Sequence, residues 1–243
     1  MLLFLFVLEV YTKGIAFDHV KIMEKNNFLK TSNEILAEVF DSLLKVPTYV
    51  LNNLPDQRTA LVIVDMVNGF AKEGALKSDR IEGLIPEIAA LSKECSKRGI
   101  LKIAFADCHT EASPEFGAYP VHCITGTTEA EIVDEIRDVG GYTLIPKNST
   151  NGFIEEPFQT WLKENLQIDT FIITGNCTDI CIQQFAITLK TWFNRHNKKA
   201  QIIIPINSVE TYDLGTHNGD LMNVMALYNM MQNGIEIVKE IKY

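Results

Sequence analysis

The chain has 243 residues, long enough for one well-cored domain with an extension and short for two. With 47% hydrophobic and 22% charged residues and no low-complexity stretch, its composition is that of a soluble globular protein. A net charge of −9, with the 22 basic residues in no long run, argues against nucleic acid or an anionic membrane as the main partner.

The first seven residues, MLLFLFV, are apolar but too short to span a bilayer, and they lack the basic stretch that opens a signal peptide. Met23 offers an alternative start. Five cysteines, Cys95, Cys108, Cys123, Cys177 and Cys181, are odd in number and too sparse for a disulfide scaffold, so a reducing, cytoplasmic setting is the simpler expectation. Residues 24 to 54 predict helix, with Ile35, Leu36, Val39, Phe40, Leu43 and Leu44 on one stripe, Ser32 or Asn33 as cap and Pro47 as stop. Residues 1–54 therefore form an N-terminal, partly helical extension that packs on the main domain or on a partner subunit, which leaves a homo-oligomer open.

From 55 to 243 the pattern alternates. Strands are expected at Ala60–Val64, Ile100–Ala106, Tyr142–Ile145, Thr170–Thr174, Gln201–Ile206 and Ile235–Val238. Between them lie helical patterns at Ile81–Arg98, Glu129–Asp138, Glu155–Asn165, Thr178–Arg195 and His217–Gln232, with Gly99 as a helix stop. Ile- and Val-rich strands alternating with helices give a three-layer α/β/α domain around a central, mostly parallel six-stranded sheet.

Ligands of such sheets bind beyond the carboxyl ends of the strands. The polar residues collected there are Asp65, Asp107, Lys147 and the Gly175–Cys181 turn. Cys181 falls in the first turn of a helix that follows a strand, where unpaired N–H groups lower a thiol pKa. Asp65 can take a proton from it and Lys147 can stabilise anionic states by charge. Taken singly, each has an ordinary reading: a buried cysteine, a turn cap, a solvated lysine. Their shared address favours chemistry. A second cluster, Asp107, His109, Glu115 and His122, has the mixed carboxylate and imidazole character that suits zinc, manganese or iron, against the alternative of a polar loop with two histidines.

Five stretches, VIVDMVNGF at Asp65, DCHT at Asp107, SPEFGAYPVHCITGT through His122, PKNSTNGF at Lys147 and GNCTDICI ending at Cys181, occur in the order of the isochorismatase-like cysteine hydrolases. Within that family the chain resembles the nicotinamidase (pyrazinamidase) branch. The resemblance implies a triad of Asp65, Lys147 and Cys181, in which the cysteine attacks an amide carbonyl, ammonia leaves and water hydrolyses the thioester. It implies one divalent metal, zinc first and manganese or iron as alternatives, on Asp107, His109, His122 and Glu115, with Glu111 a weaker fourth ligand. It further implies a cis peptide at Asn176–Cys177, an oxyanion hole from the N–H groups of Cys177 and Cys181, and a pocket built with Phe70, Tyr119, Asn68 and Phe153. The expected function is hydrolysis of nicotinamide to nicotinate and ammonia for NAD salvage.

Departures from the family pattern are Val67-Asn68-Gly69 where an acid is usual, Cys108 and Cys177 at positions of other side chains, and the arm before Pro55. Two alternatives stay open at this point. One is a metal-free hydrolase of another small amide or carbamoyl compound. The other is a non-catalytic binding or redox-sensing protein that reuses the fold.

Overall fold

Residues 24–243 are described in the computed structural model, so the apolar opening segment and the alternative start at Met23 lie outside the described residues. The chain divides into two units, Met1–Val39 and Phe40–Tyr243. Described in the first is most of helix α1, Lys25–Leu44. In the second, Leu43 joins the core while Phe40 and Leu44 are exposed.

The described strands are β1 Tyr49–Val50, β2 Thr59–Val64, β3 Leu101–Asp107, β4 Thr143–Lys147, β5 Thr170–Asn176, β6 Gln201–Pro205, β7 Val209–Glu210, β8 Glu236–Val238 and β9 Ile241–Lys242. The longer helices after α1 are α2 Ile85–Arg98, α3 Glu156–Glu164, α4 Gln183–Arg195 and α5 Gly219–Gln232. The main sheet runs β4-β3-β2-β5-β6-β8, with β7 beside the end of β5, and every pairing in it is parallel. All six expected strands are present, and the two-residue β7 makes seven. β1 and β9 form a separate parallel pair, and Leu51 and Leu54 just beyond β1 are buried.

The sheet sorts its side chains between two hydrophobic layers because alternate residues face opposite sides. Ala60, Val62 and Val64 of β2 pack in one layer with Phe105, Phe158, Phe171 and Phe185. Leu61 and Ile63 pack in the other with Ile88, Leu91 and Ile172. Both faces are covered, as a parallel sheet requires.

Two helical expectations away from the β5 turn change. The Ile81–Arg98 pattern splits into Asp79–Glu82 and α2, because Pro86 belongs in a first helical turn, where its missing N–H costs nothing. The Glu129–Asp138 pattern holds only a 3₁₀ turn at Thr128–Ala130 and one helical turn at Asp134–Arg137. Between them the backbone is drawn out by hydrogen bonds to the loop after β2: Asn68 N–H to Glu131 O, and Val133 N–H to Met66 O.

Candidate active site

The strand order reverses between β2 and β5, since β3 and β4 lie to one side of β2 while β5, β6 and β8 lie to the other. A crevice opens beyond the carboxyl ends at such a switch point. Asp65 leaves the end of β2 with φ +52, a left-handed conformation uncommon for a side-chain-bearing residue. Gly175 in β5 has φ +110, and a Cβ there would lie 2.0 Å from the Val64 carbonyl oxygen, so only glycine lets these two strand ends approach. The Asn176–Cys177 peptide is cis. Asn176 Nδ2 donates to the Asp65 carbonyl at 2.6 Å, tying the two strand ends together.

The turn after β5 departs from the α-helix expected from Thr178. Residues Thr178–Ile182 form one π-helical turn before α4, and the Ile182 N–H reaches back five residues to the Cys177 carbonyl at 3.1 Å. Single π turns recur at functional sites because they re-aim one side chain. Here that turn carries Cys181.

Lys147 ends β4 and sits at the centre of the charges. Its ammonium lies 3.0 Å from Asp65 Oδ2, 2.5 Å from Asp107 Oδ1 and 3.7 Å from Cys181 Sγ, and it donates to the Ser149 carbonyl at 3.0 Å. All four side chains are buried. Burial works against the Lys147 charge, but Asp107 and Asp65 outweigh it and hold the ammonium well above its ordinary pKa. Burial likewise opposes the Asp107 charge, and there the Lys147 ammonium prevails, keeping the carboxylate well below the usual range. Asp65 goes the other way: burial pushes it up to about 7 despite Lys147. Neither of its oxygens accepts a hydrogen bond of good geometry, although the lysine is in ion-pair range. Burial also pushes the Cys181 thiol up, against the pull of Lys147. The low thiol pKa expected from a helix start is therefore not realised, because a site this dry disfavours the thiolate more than the turn favours it. Such a thiol reaches thiolate only with a proton acceptor at hand, and a carboxylate such as Asp65 has the chemistry to be one.

Beside this group, Asp107, His109, Glu115 and His122 bring four ligand atoms within 4.8 Å of one another. Asp107 Oδ2 lies 3.2 Å from His109 Nε2 and 3.1 Å from His122 Nε2, and Glu115 Oε1 lies 3.8 Å from His109 Nε2. The outer ring nitrogens are engaged elsewhere: His109 Nδ1 with Asn148 Oδ1 at 2.9 Å, and His122 Nδ1 with the Pro120 carbonyl at 2.7 Å. Each is then the protonated nitrogen, which turns an Nε2 lone pair inward as metal-binding histidines require. His109 Nε2 is buried with no hydrogen-bond partner among the described residues. A buried, unpartnered imidazole nitrogen beside two carboxylates fits a divalent cation.

A cavity of about 290 Å³, counted with its open mouth, joins the two groups. Phe70, Tyr119, Asp107, Glu115, His122, Cys177 and Cys181 line it, together with Leu76, Thr150, Ile180 and Tyr212, which sequence reasoning did not single out. Phe70 and Tyr119 also pack against the His122 ring, at centroid separations of 5.5 and 6.3 Å. Two expected pocket residues are not among its walls. Phe153 is buried in the core against Phe158 and Trp192, and Asn68 donates to the Thr128 carbonyl at 3.0 Å.

Residues 59–203 match the model of the isochorismatase domain. The chain belongs to the isochorismatase family. Among curated relatives, this isochorismatase-family chain is 30% identical over 245 residues to Nicotinamidase 1 of Arabidopsis thaliana, covering 84% of this chain and 97% of that one. It is 27% identical over 207 residues to the nicotinamidase of Acinetobacter baylyi, covering 73% and 90%. Of solved structures, pyrazinamidase/nicotinamidase from Streptococcus mutans aligns with a TM-score of 0.64 at 22% identity, over 74% of this chain and 99% of that one. The pyrazinamidase of Pyrococcus horikoshii in complex with zinc aligns with a TM-score of 0.62 at 23% identity, over 75% and 99%. No helix among the described residues is long and apolar enough to cross a membrane.

Proposed function

We propose that this isochorismatase-family enzyme is an amidohydrolase that converts nicotinamide and water to nicotinate and ammonia, serving NAD salvage in the cytoplasm. The observation that carries this reading is the buried quartet of Asp65, Asp107, Lys147 and Cys181, of which Asp107 and Cys181 line a cavity together with Glu115 and His122 of the candidate metal-binding set.

The carboxylate of Asp65 takes the Cys181 proton as the sulfur attacks the amide carbonyl carbon. A C–S bond forms, and the carbonyl electron pair moves to oxygen. The backbone N–H groups of Cys177 and Cys181 receive that oxyanion, where a dry site makes them most effective. Lys147 keeps its proton and holds the negative charge in place. As the C–N bond breaks, Asp65 returns the proton to nitrogen and ammonia leaves. Asp65 then takes a proton from water as the water attacks the thioester; as the C–S bond breaks it returns that proton to the sulfur, restoring the thiol, and the nicotinic acid formed releases its carboxyl proton to solvent as nicotinate.

Asp107, His109, Glu115 and His122 would hold one divalent ion, zinc being our choice with manganese or iron compatible with the donor set. When bound, such an ion supplies a Lewis-acidic anchor for a ring nitrogen. Phe70 and Tyr119 flank the ring. The acyl transfer itself uses only Asp65, Lys147, Cys181 and backbone.

The test is ammonia release from nicotinamide by the purified, zinc-supplemented protein beside a Cys181→Ala variant. Release that the substitution abolishes is expected. A folded, metal-loaded protein that releases none overturns the reading.

A further inference from the structure

Tyr212 faces the cavity from a strap of chain that the acyl transfer does not use. The strap leaves β7, which pairs with the end of β5 at Gly175 and Asn176, and returns at α5. Arg80 pins both its ends: it donates to the Thr211 carbonyl at 3.2 Å and pairs with Glu210 at 3.1 Å, Asp213 at 3.3 Å and Asp220 at 2.7 Å. Between these ends the chain doubles back, with paired backbone hydrogen bonds joining Leu214 and His217.

That reversal lays the His217 ring flat on Tyr212, with centroids 4.1 Å apart and planes 11° from parallel. Both imidazole nitrogens are engaged. Nδ1 meets the Tyr212 carbonyl at 2.9 Å, and Nε2 meets Asp179 Oδ2 at 2.9 Å. The other Asp179 oxygen accepts from the Thr211 hydroxyl at 2.7 Å. Asp179 lies in the π turn that carries Cys181, two residues before it, and its side chain is only 5% exposed. One carboxylate on the nucleophile turn thus grips the strap on either side of Tyr212.

We propose that Tyr212 is a specificity-determining wall for a flat heteroaromatic amide, and that Asp179 and His217 are positioning residues that fix this wall relative to the nucleophile. The proposal deepens the function proposed above and rests on it. An aromatic face held by a stacked imidazole keeps its orientation when the cavity is empty, so a ring binds without first ordering its own wall. Stacking geometries of this kind favour the offset, parallel approach of a second ring. Mounting the clamp on the nucleophile turn sets the ring position and the sulfur position from one element.

The experiment is a double-mutant cycle on His217→Ala and Tyr212→Ala, read as KM and kcat for nicotinamide and as the nicotinate Kd by calorimetry, with thermal melts to confirm folding. Each single variant is expected to raise KM by roughly three- to tenfold, the value of one aromatic contact, while kcat falls by less than about twofold. In the double variant the two effects should not add, because His217 acts through Tyr212. Asp179→Asn, which keeps a side chain able to bond both partners, should restore most of the KM that Asp179→Ala loses. A wild type that neither binds nicotinate nor hydrolyses nicotinamide overturns the functional reading and the wall with it. An active wild type whose single effects add fully, or fall on kcat alone, overturns the wall and leaves the function standing.

Discussion

Asp65→Asn keeps the shape of a fully buried side chain and removes its power to accept a proton. Three features of the site set the size of the effect. Both Asp65 oxygens lack a hydrogen-bond donor of good geometry, the Lys147 ammonium is 3.0 Å away, and burial pushes the carboxyl up to about 7. A base of that strength is matched to neutral pH, where a well-placed general base contributes about 10²–10⁴ in rate. With the Cys181 thiol pushed up by burial, a loss near the middle of that range, about 10³ in kcat/KM or about 4 kcal/mol, is expected. In the wild type, kcat/KM falls as pH drops through about 7, because protonated Asp65 cannot take the thiol proton. The variant loses this acid limb.

The same shift acts on stability with a definite sign. Between pH 3.8 and about 7 the native state keeps a proton on Asp65 that the unfolded chain releases. The unfolding free energy contributed by this residue therefore falls as pH rises through that window, by about 4 kcal/mol at most. Ammonia release across pH and urea unfolding at about pH 4 and about pH 8 measure both effects. An Asn variant that keeps more than about a tenth of wild-type kcat/KM, or that keeps the acid limb, refutes the assignment of Asp65 as base.

Further predictions concern the supports of the site. Asn148→Ala removes the partner that fixes the His109 ring and should weaken zinc binding about 10–100-fold, measured by competition with a chelator; unchanged affinity would show that the ring is oriented by something else. Lys147→Met leaves Asp65 and Asp107 buried without their shared cation and should cost about 3–5 kcal/mol in urea unfolding as well as activity. A variant as stable as the wild type would contradict the pairing. Gly175→Ala places a methyl against the Val64 carbonyl and should cost at least about 2 kcal/mol, read as a lowered melting temperature; a neutral result would mean that the two strand ends are not in close contact.

Most of the frame was legible because buried parallel strands are short Ile- and Val-rich runs, and all six such runs became strands. β7 was not, since two residues cannot carry a pattern. The Glu129–Asp138 stretch has helical spacing, but its backbone bonds to the loop after β2, and a partner more than sixty residues away leaves no local trace. Strand ends converge in any such sheet, so Asp65, Asp107, Lys147 and Cys181 could be collected before their distances were known. Their proton affinities could not, because burial sets them: the same thiol that a helix start would acidify is pushed up in a dry site. The metal set came together from one loop with recognisable ligand types. Tyr212 and the Asp179–His217 pair were invisible, being joined across 38 residues by no spacing rule. Phe153 shows the reverse error, for an aromatic in a motif reads alike whether it faces a cavity or the core.

Cys181 is the residue expected to carry the acyl group. Nicotinamide turnover quenched in acid within a single cycle, followed by peptide mass analysis, tests it most directly. The expected result is a nicotinoyl thioester on the peptide containing Cys181, located on that residue and absent from Cys177, and lost altogether in Cys181→Ala. Ammonia released at full rate by Cys181→Ala, or an acyl group found only on another residue, would contradict it.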